Sequence, residues 1–145
     1  MASSNDKVSL PGCGFDPNDS EIVTLLRNKL AGSTKVSDFI IDNINFYSRE
    51  PKEVYDSGID SGHNKRYFLT NLKYKHGQVI NRQTPSKGSW TMTGPSGDIV
   101  DQSATWKSFT YHTAQKMRTL WLMKEYTLAE APLLALCVLY NSSHN

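Results

Sequence analysis

The sequence predicts an α+β fold, a twisted antiparallel β-sheet packed between N-terminal helices and a few short helical elements. Three observations predict it. Apolar residues recur at helical spacing near the start of the chain, at Ile22, Leu25, Leu26 and Leu30. Beyond residue 64, short β-branched and aromatic runs take over, separated by turn-forming residues. Helical periodicity first and strands afterwards is the order of an α+β domain, not of alternating β-α-β units. With 145 residues and 38% hydrophobic content, the chain suits one domain with its own core. That domain is assigned to residues 10–140, between a flexible N-terminus (1–9) and a short tail (141–145).

Each element has its own signal. Asp16-Pro17-Asn18-Asp19-Ser20-Glu21 reads as a turn entering a helix. Asn18 or Asp19 can accept hydrogen bonds from the open first-turn amides, and acids suit the positive helix end. Gly32 is the expected stop. A second helical turn is expected after Ser37-Asp38-Phe39, ending near Asn43, and residues 44–47 are expected to be extended. The polar stretch 56–64 marks the clearest internal boundary. Strands are expected over residues 66–70, 78–80, 88–93, 105–113, 119–128 and 133–140. Turns are expected at His76-Gly77, over 84–88, and at Gly94-Pro95-Ser96-Gly97-Asp98.

The net charge of +2 conceals a segregation. Residues 62–124 hold ten bases (Lys65, Arg66, Lys73, Lys75, Arg82, Lys87, Lys107, Lys116, Arg118 and Lys124) against Asp98 and Asp101, a net of +8. Residues 1–61 are net −4 and residues 125–145 net −2. A basic middle interleaved with Trp, Tyr and Asn-Arg points to a polyanion, nucleic acid above all.

Other function classes find little support. Cys13 and Cys137 make no disulfide framework, and an intracellular protein with reduced thiols is expected. His63, His76, His112 and His144 show no metal-ligand pairing with them, so no metal or other cofactor is expected. No nucleophile motif, phosphate-binding glycine loop or acid pair stands out, which argues against an enzyme or a small-molecule substrate. The longest apolar run, 131–140, is too short to span a bilayer, so no membrane role is expected.

The motifs resemble, in shared order, those of the NAC domain, the DNA-binding domain of a class of plant transcription factors. Phe15-Asp16-Pro17-Asn18-Asp19-Ser20-Glu21 resembles the family's Phe-His-Pro-Thr-Asp-Glu-Glu opening. Arg66-Tyr67-Phe68 is similar to Trp-Tyr-Phe, and Lys73-Tyr74-Lys75-His76-Gly77 to Lys-Tyr-Pro-Asn-Gly. Asn81-Arg82-Gln83-Thr84 resembles Asn-Arg-Ala-Thr, and Gly88-Ser89-Trp90-Thr91-Met92-Thr93-Gly94 resembles Gly-Tyr-Trp-Lys-Ala-Thr-Gly. Trp121 to Tyr126 and Leu136 to Tyr140 resemble the closing Trp-Val-Met-His-Glu-Tyr and Leu-Cys-Arg-Ile-Tyr.

This resemblance implies a nuclear, dimeric, sequence-specific DNA-binding protein that inserts a sheet edge into the major groove and regulates transcription. It assigns Trp90, Thr91, Met92 and Thr93 to the reading element and Arg82 to a flanking contact. Lys73, Lys75, Lys87 and Lys107 would follow the phosphates. The same resemblance places Gly14 and Glu21 at the dimer interface, with itself or other NAC proteins as partner. Departures are clear. Thr91 stands where the family has lysine, and Gly14 where it has the arginine that pairs with the glutamate matched here by Glu21. If dimers form, backbone pairing near residues 9–12 and apolar contacts must carry them. A chain ending at Asn145 keeps an alternative open: a shortened NAC-like regulator that heterodimerises with full-length relatives and dampens them.

Overall fold

The computed structural model describes residues 14–33, 36–99 and 103–144. Cys13 and residues 9–12 lie outside them. Helix α1 (Asp19–Leu30) opens as its sequence requires. Asn18 Oδ1 accepts the Glu21 N–H at 2.9 Å, and Glu21 Oε1 accepts the Asn18 N–H at 2.8 Å. This reciprocal cap satisfies two amides that the helix leaves open. Ala31 closes the helix and Gly32, at φ +97°, turns the chain away.

Strand β1 (Ile40–Ile41), helix α2 (Pro51–Ser57) and strand β2 (Lys65–Asn71) follow. A small hairpin of β3 (Tyr74–His76) and β4 (Val79–Ile80) precedes four long strands. These are β5 (Ser89–Ile99), β6 (Ala104–His112), β7 (Arg118–Leu128) and β8 (Ala131–Asn141). The six-stranded twisted sheet runs β1-β2-β8-β7-β6-β5, with β3-β4 apart. Every pairing in the large sheet is antiparallel except β1 with β2, so the sheet is mixed.

Alternation along the strands sends side chains to two cores. On one face α1 lays Ile22, Val23 and Leu26 against Tyr67, Tyr126, Leu128, Leu136 and Val138. On the other, Phe46, Tyr47, Val54 and Tyr55 cover Phe68, Trp90, Phe109, Met123, Cys137 and Leu139. Among the described residues no helix is long and apolar enough to cross a membrane.

Three local expectations are corrected. The helical turn expected after Ser37 is instead β1, where Ile40 pairs with Tyr67 and Ile41 with Phe68. Successive strand residues face opposite ways, so the two isoleucines join opposite cores. Residues 44–47, expected to be extended, enter a single 3-10 turn at Phe46–Ser48. A turn buries consecutive Phe46 and Tyr47 together, which an extended chain would not do.

The third correction bears on function. The turn expected over 94–98 is strand: β5 runs on to Ile99, which pairs with Ala104 of β6. A bulge between Met92 and Ser96 absorbs the extra residues. Pro95, which has no N–H to donate, is tolerated because it falls within this bulge of an edge strand, outside the paired register. Gly94 is required there, since a Cβ would lie 2.9 Å from the Ser108 side chain.

Candidate nucleic-acid interface

The residues expected at a DNA surface separate into an exposed group and a buried one. Thr91, Met92 and Thr93 are exposed on β5, which has no strand beyond it in the sheet among the described residues. Among the described residues the start of this edge is covered, by the Gln83–Ser89 bridge and the Trp90 N–H donating to the Arg82 carbonyl. From Thr91 onward the edge presents hydroxyls, methyls, a thioether and backbone groups. Its one charged side chain is Asp98. Thr93 does not point freely outward, because its hydroxyl meets that of Thr110.

Two of the four expected lysines flank this edge. Lys87 lies in the loop that delivers the chain to β5, in a left-handed conformation with φ +75°. Lys107 is exposed on β6 opposite Ser96. Lys75 sits on β3, and Lys73 borders a cavity of about 410 Å³ lined by Asn45, Asn71, Asn81 and Gln83. Among the described residues none of these four lysines forms an ion pair. Their charge is available to an external polyanion.

Arg82 and Trp90 sit differently. Trp90 is 4% exposed, with its ring 6.0 Å from Phe46 and 5.4 Å from Tyr111. The Arg82 Nη2 donates to Glu125 Oε1 at 2.7 Å, and its guanidinium lies 4.6 Å from the centre of the Phe109 ring. Glu125 is 3% exposed, the one buried carboxylate among the described residues, and its Oε2 also accepts the Tyr47 hydroxyl at 2.8 Å. Partial burial alone would lower the Arg82 pKa, but the adjacent Glu125 carboxylate raises it. Burial, then the nearby Cys137 and Glu125, pushes the Tyr47 phenol well up, so it stays a neutral donor. Arg82 is therefore not a free surface cation. It neutralises the interior carboxylate and holds residues 80–84 on the sheet.

Sequence reasoning missed Glu125, whose signal was a carboxylate alternating with Trp121 and Met123 on an apolar strand face. It also missed Glu50. That carboxylate accepts the Ser86 N–H at 2.9 Å, the Ser86 hydroxyl at 2.8 Å and the Tyr111 hydroxyl at 3.0 Å. Partial desolvation would raise its pKa, but these bonds hold it below the ordinary carboxylate value. Glu50 thus ties the 84–88 loop to the start of α2 and fixes where Lys87 and β5 begin. Cys137 is fully buried, and burial followed by Glu125 pushes its thiol up, the opposite of an activated nucleophile. Among the described residues no group of three His, Cys, Asp or Glu could hold a metal.

The two residues expected at a dimer interface are also occupied locally. Glu21 closes the α1 cap. Gly14 has φ +66°, and a Cβ there would lie 2.3 Å from the Ser61 carbonyl oxygen. Glycine answers a backbone need, so an arginine could not stand there without displacing the loop.

Comparison with known proteins agrees with this architecture. The family model described as No apical meristem (NAM) protein matches residues 10–128. NAC domain-containing protein 74 of Oryza sativa subsp. japonica is 30% identical over 139 residues, which cover 90% of this chain and 28% of that protein. NAC domain containing protein 50 of Arabidopsis thaliana is 32% identical over 130 residues, covering 83% and 29%. NAC domain-containing protein 60 of Arabidopsis thaliana is 29% identical over 139 residues, covering 90% and 41%. The chain thus spans well under half the length of these relatives. Members of this family are plant transcription factors, not enzymes. With the mixed sheet between α1 and α2 and the match over most of its length, the chain belongs to the NAC domain family, as a divergent member.

Proposed function

We propose that this chain is a sequence-specific DNA-binding domain that regulates transcription in the nucleus, setting the β5 edge into the major groove. The observation that carries the reading is an exposed edge strand with Lys87 in the loop before it and Lys107 on the neighbouring strand, neither of them in an ion pair among the described residues. A β element entering the major groove can read base edges, while lysines on phosphates fix its register without reading sequence. Thr91, Met92 and Thr93 are the reading side chains. Lys73, Lys75, Lys87 and Lys107 are the phosphate contacts. Trp90 and Arg82 act from beneath, as supports. Assembly with a second NAC domain would use the N-terminal side, without a Gly14–Glu21 pairing.

One observation favours a second reading. The edge has Thr91 where the family carries a lysine, and its only charge is the acidic Asp98. A weakly DNA-binding domain that pairs with longer relatives and dampens them has that character. Titrating binding to a family consensus duplex against salt separates the two. DNA binding predicts retardation at low salt and a steep loss as salt rises. No retardation, with capture of a relative's NAC domain, supports the regulator.

A further inference from the structure

Met92 is 54% exposed, among the most exposed large apolar side chains described. Its surroundings separate it from a stray surface methionine. Trp90, two residues earlier, shares its sheet face and is covered by Phe46 and Tyr111. Opposite Met92 stands Phe109, itself 4% exposed beneath the Arg82 guanidinium. The apolar row therefore continues from the covered core to the rim, and Met92 is the residue at which cover ends. Two residues along β6 from Phe109, Lys107 shares the face and is exposed. An apolar tip with a lysine beside it, on an edge strand without basic side chains, is complementary to one feature of duplex DNA. Thymine carries the only apolar group on the major-groove base edges, its 5-methyl, and phosphates flank it.

We infer that Met92 is a specificity-determining residue that reads a thymine 5-methyl group by apolar contact. This rests on the DNA-binding reading above. The edge then selects sequence by shape and methyl burial. A thioether on an unbranched stem adapts its length to the methyl, and it adds no donor that would favour guanine.

The test replaces thymine by uracil, which removes only the methyl. The unaltered chain first selects a duplex from a randomised pool, and each thymine is then changed to uracil in turn. Binding is followed by fluorescence anisotropy at fixed salt. Uracil at one or two positions should weaken binding by about fourfold, the worth of one buried methyl-sized group. Met92→Ala should bind the thymine duplex about as weakly as the unaltered chain binds the uracil one, and should show no further uracil penalty. Met92→Leu should keep most of the penalty. Thermal melts of both variants should match the unaltered chain, given the exposure of the side chain. Binding without a uracil penalty at any position would overturn the inference and leave the DNA reading intact. A penalty undiminished in Met92→Ala would overturn it too. Failure to select any duplex would overturn the DNA reading and this inference together.

Discussion

The covered and the bare halves of the sheet's second face are built from the same two strands and used in opposite ways. Under the Phe46 turn and residues 80–88, β5 and β6 present Trp90, Phe109 and Tyr111, all buried. Two residues further along each strand the same face presents Met92 and Lys107, both exposed. Charge follows the same division. Arg82 and Lys107 border one cavity of about 250 Å³ beside Glu125. Arg82, with a forked guanidinium suited to a carboxylate, takes Glu125, and Lys107 is left to solvent although its strand position faces Glu125. Basic residues are thus not equal candidates for DNA contact. Local cover decides which are scaffold and which are surface.

The largest effects should fall on the covered side. Trp90→Ala removes a buried aromatic and should cost about 3–5 kcal/mol of stability. Glu125→Ala leaves the Arg82 guanidinium without its partner and should cost a similar amount, roughly 3–5 kcal/mol. Met92→Ala and Lys107→Ala should stay within about 0.5 kcal/mol of the unaltered chain. Denaturant melts of the four variants check the division, and equal losses on both sides would break it.

Next in size is Gly14→Arg. Its positive φ and the Ser61 carbonyl make it destabilising, by more than about 1 kcal/mol. Light scattering should show no gain in self-association, whereas a tightened dimer with an unchanged melt would restore the family pairing with Glu21. Asn18→Ala removes the α1 cap and should cost about 1 kcal/mol.

Glu50 contributes to the acid dependence. Its folded pKa lies below the ordinary carboxylate value, so it contributes stability above that value and loses it as pH falls through the lower folded pKa. Glu50→Gln should therefore lower stability at neutral pH and flatten the decline below about pH 4. Melts of both proteins across this range check the sign, and parallel pH profiles would remove Glu50 from the account.

Much of this division was legible in the sequence, and the rest was not for identifiable reasons. Helix α1 could be read because Asn18, Glu21 and the Ile22-Leu26 spacing act within one element. The strand set could be read from alternation. The 94–98 stretch could not, because its Gly-Pro-Ser-Gly signal is satisfied equally by a turn and by a bulged edge strand. Arg82 could not be placed, since its partner lies 43 residues away and only the β6-β7-β8 register brings Glu125 beneath it. Helix α2 was missed although Glu50-Pro51 and Glu53 form a capping pair with proline at the first turn, because seven residues give too little periodicity.

In the proposed reading the exposed β5 edge, not the Arg82 centre, meets DNA. The most direct measurement is the salt dependence of DNA binding for Thr91→Lys beside the unaltered chain. Four lysine contacts predict a slope of log affinity against log salt of roughly −3 to −4 for the unaltered chain. Thr91→Lys should bind more tightly and steepen that slope by about one unit, with an unchanged melt. An unchanged slope and affinity in Thr91→Lys would place the DNA surface elsewhere on the molecule.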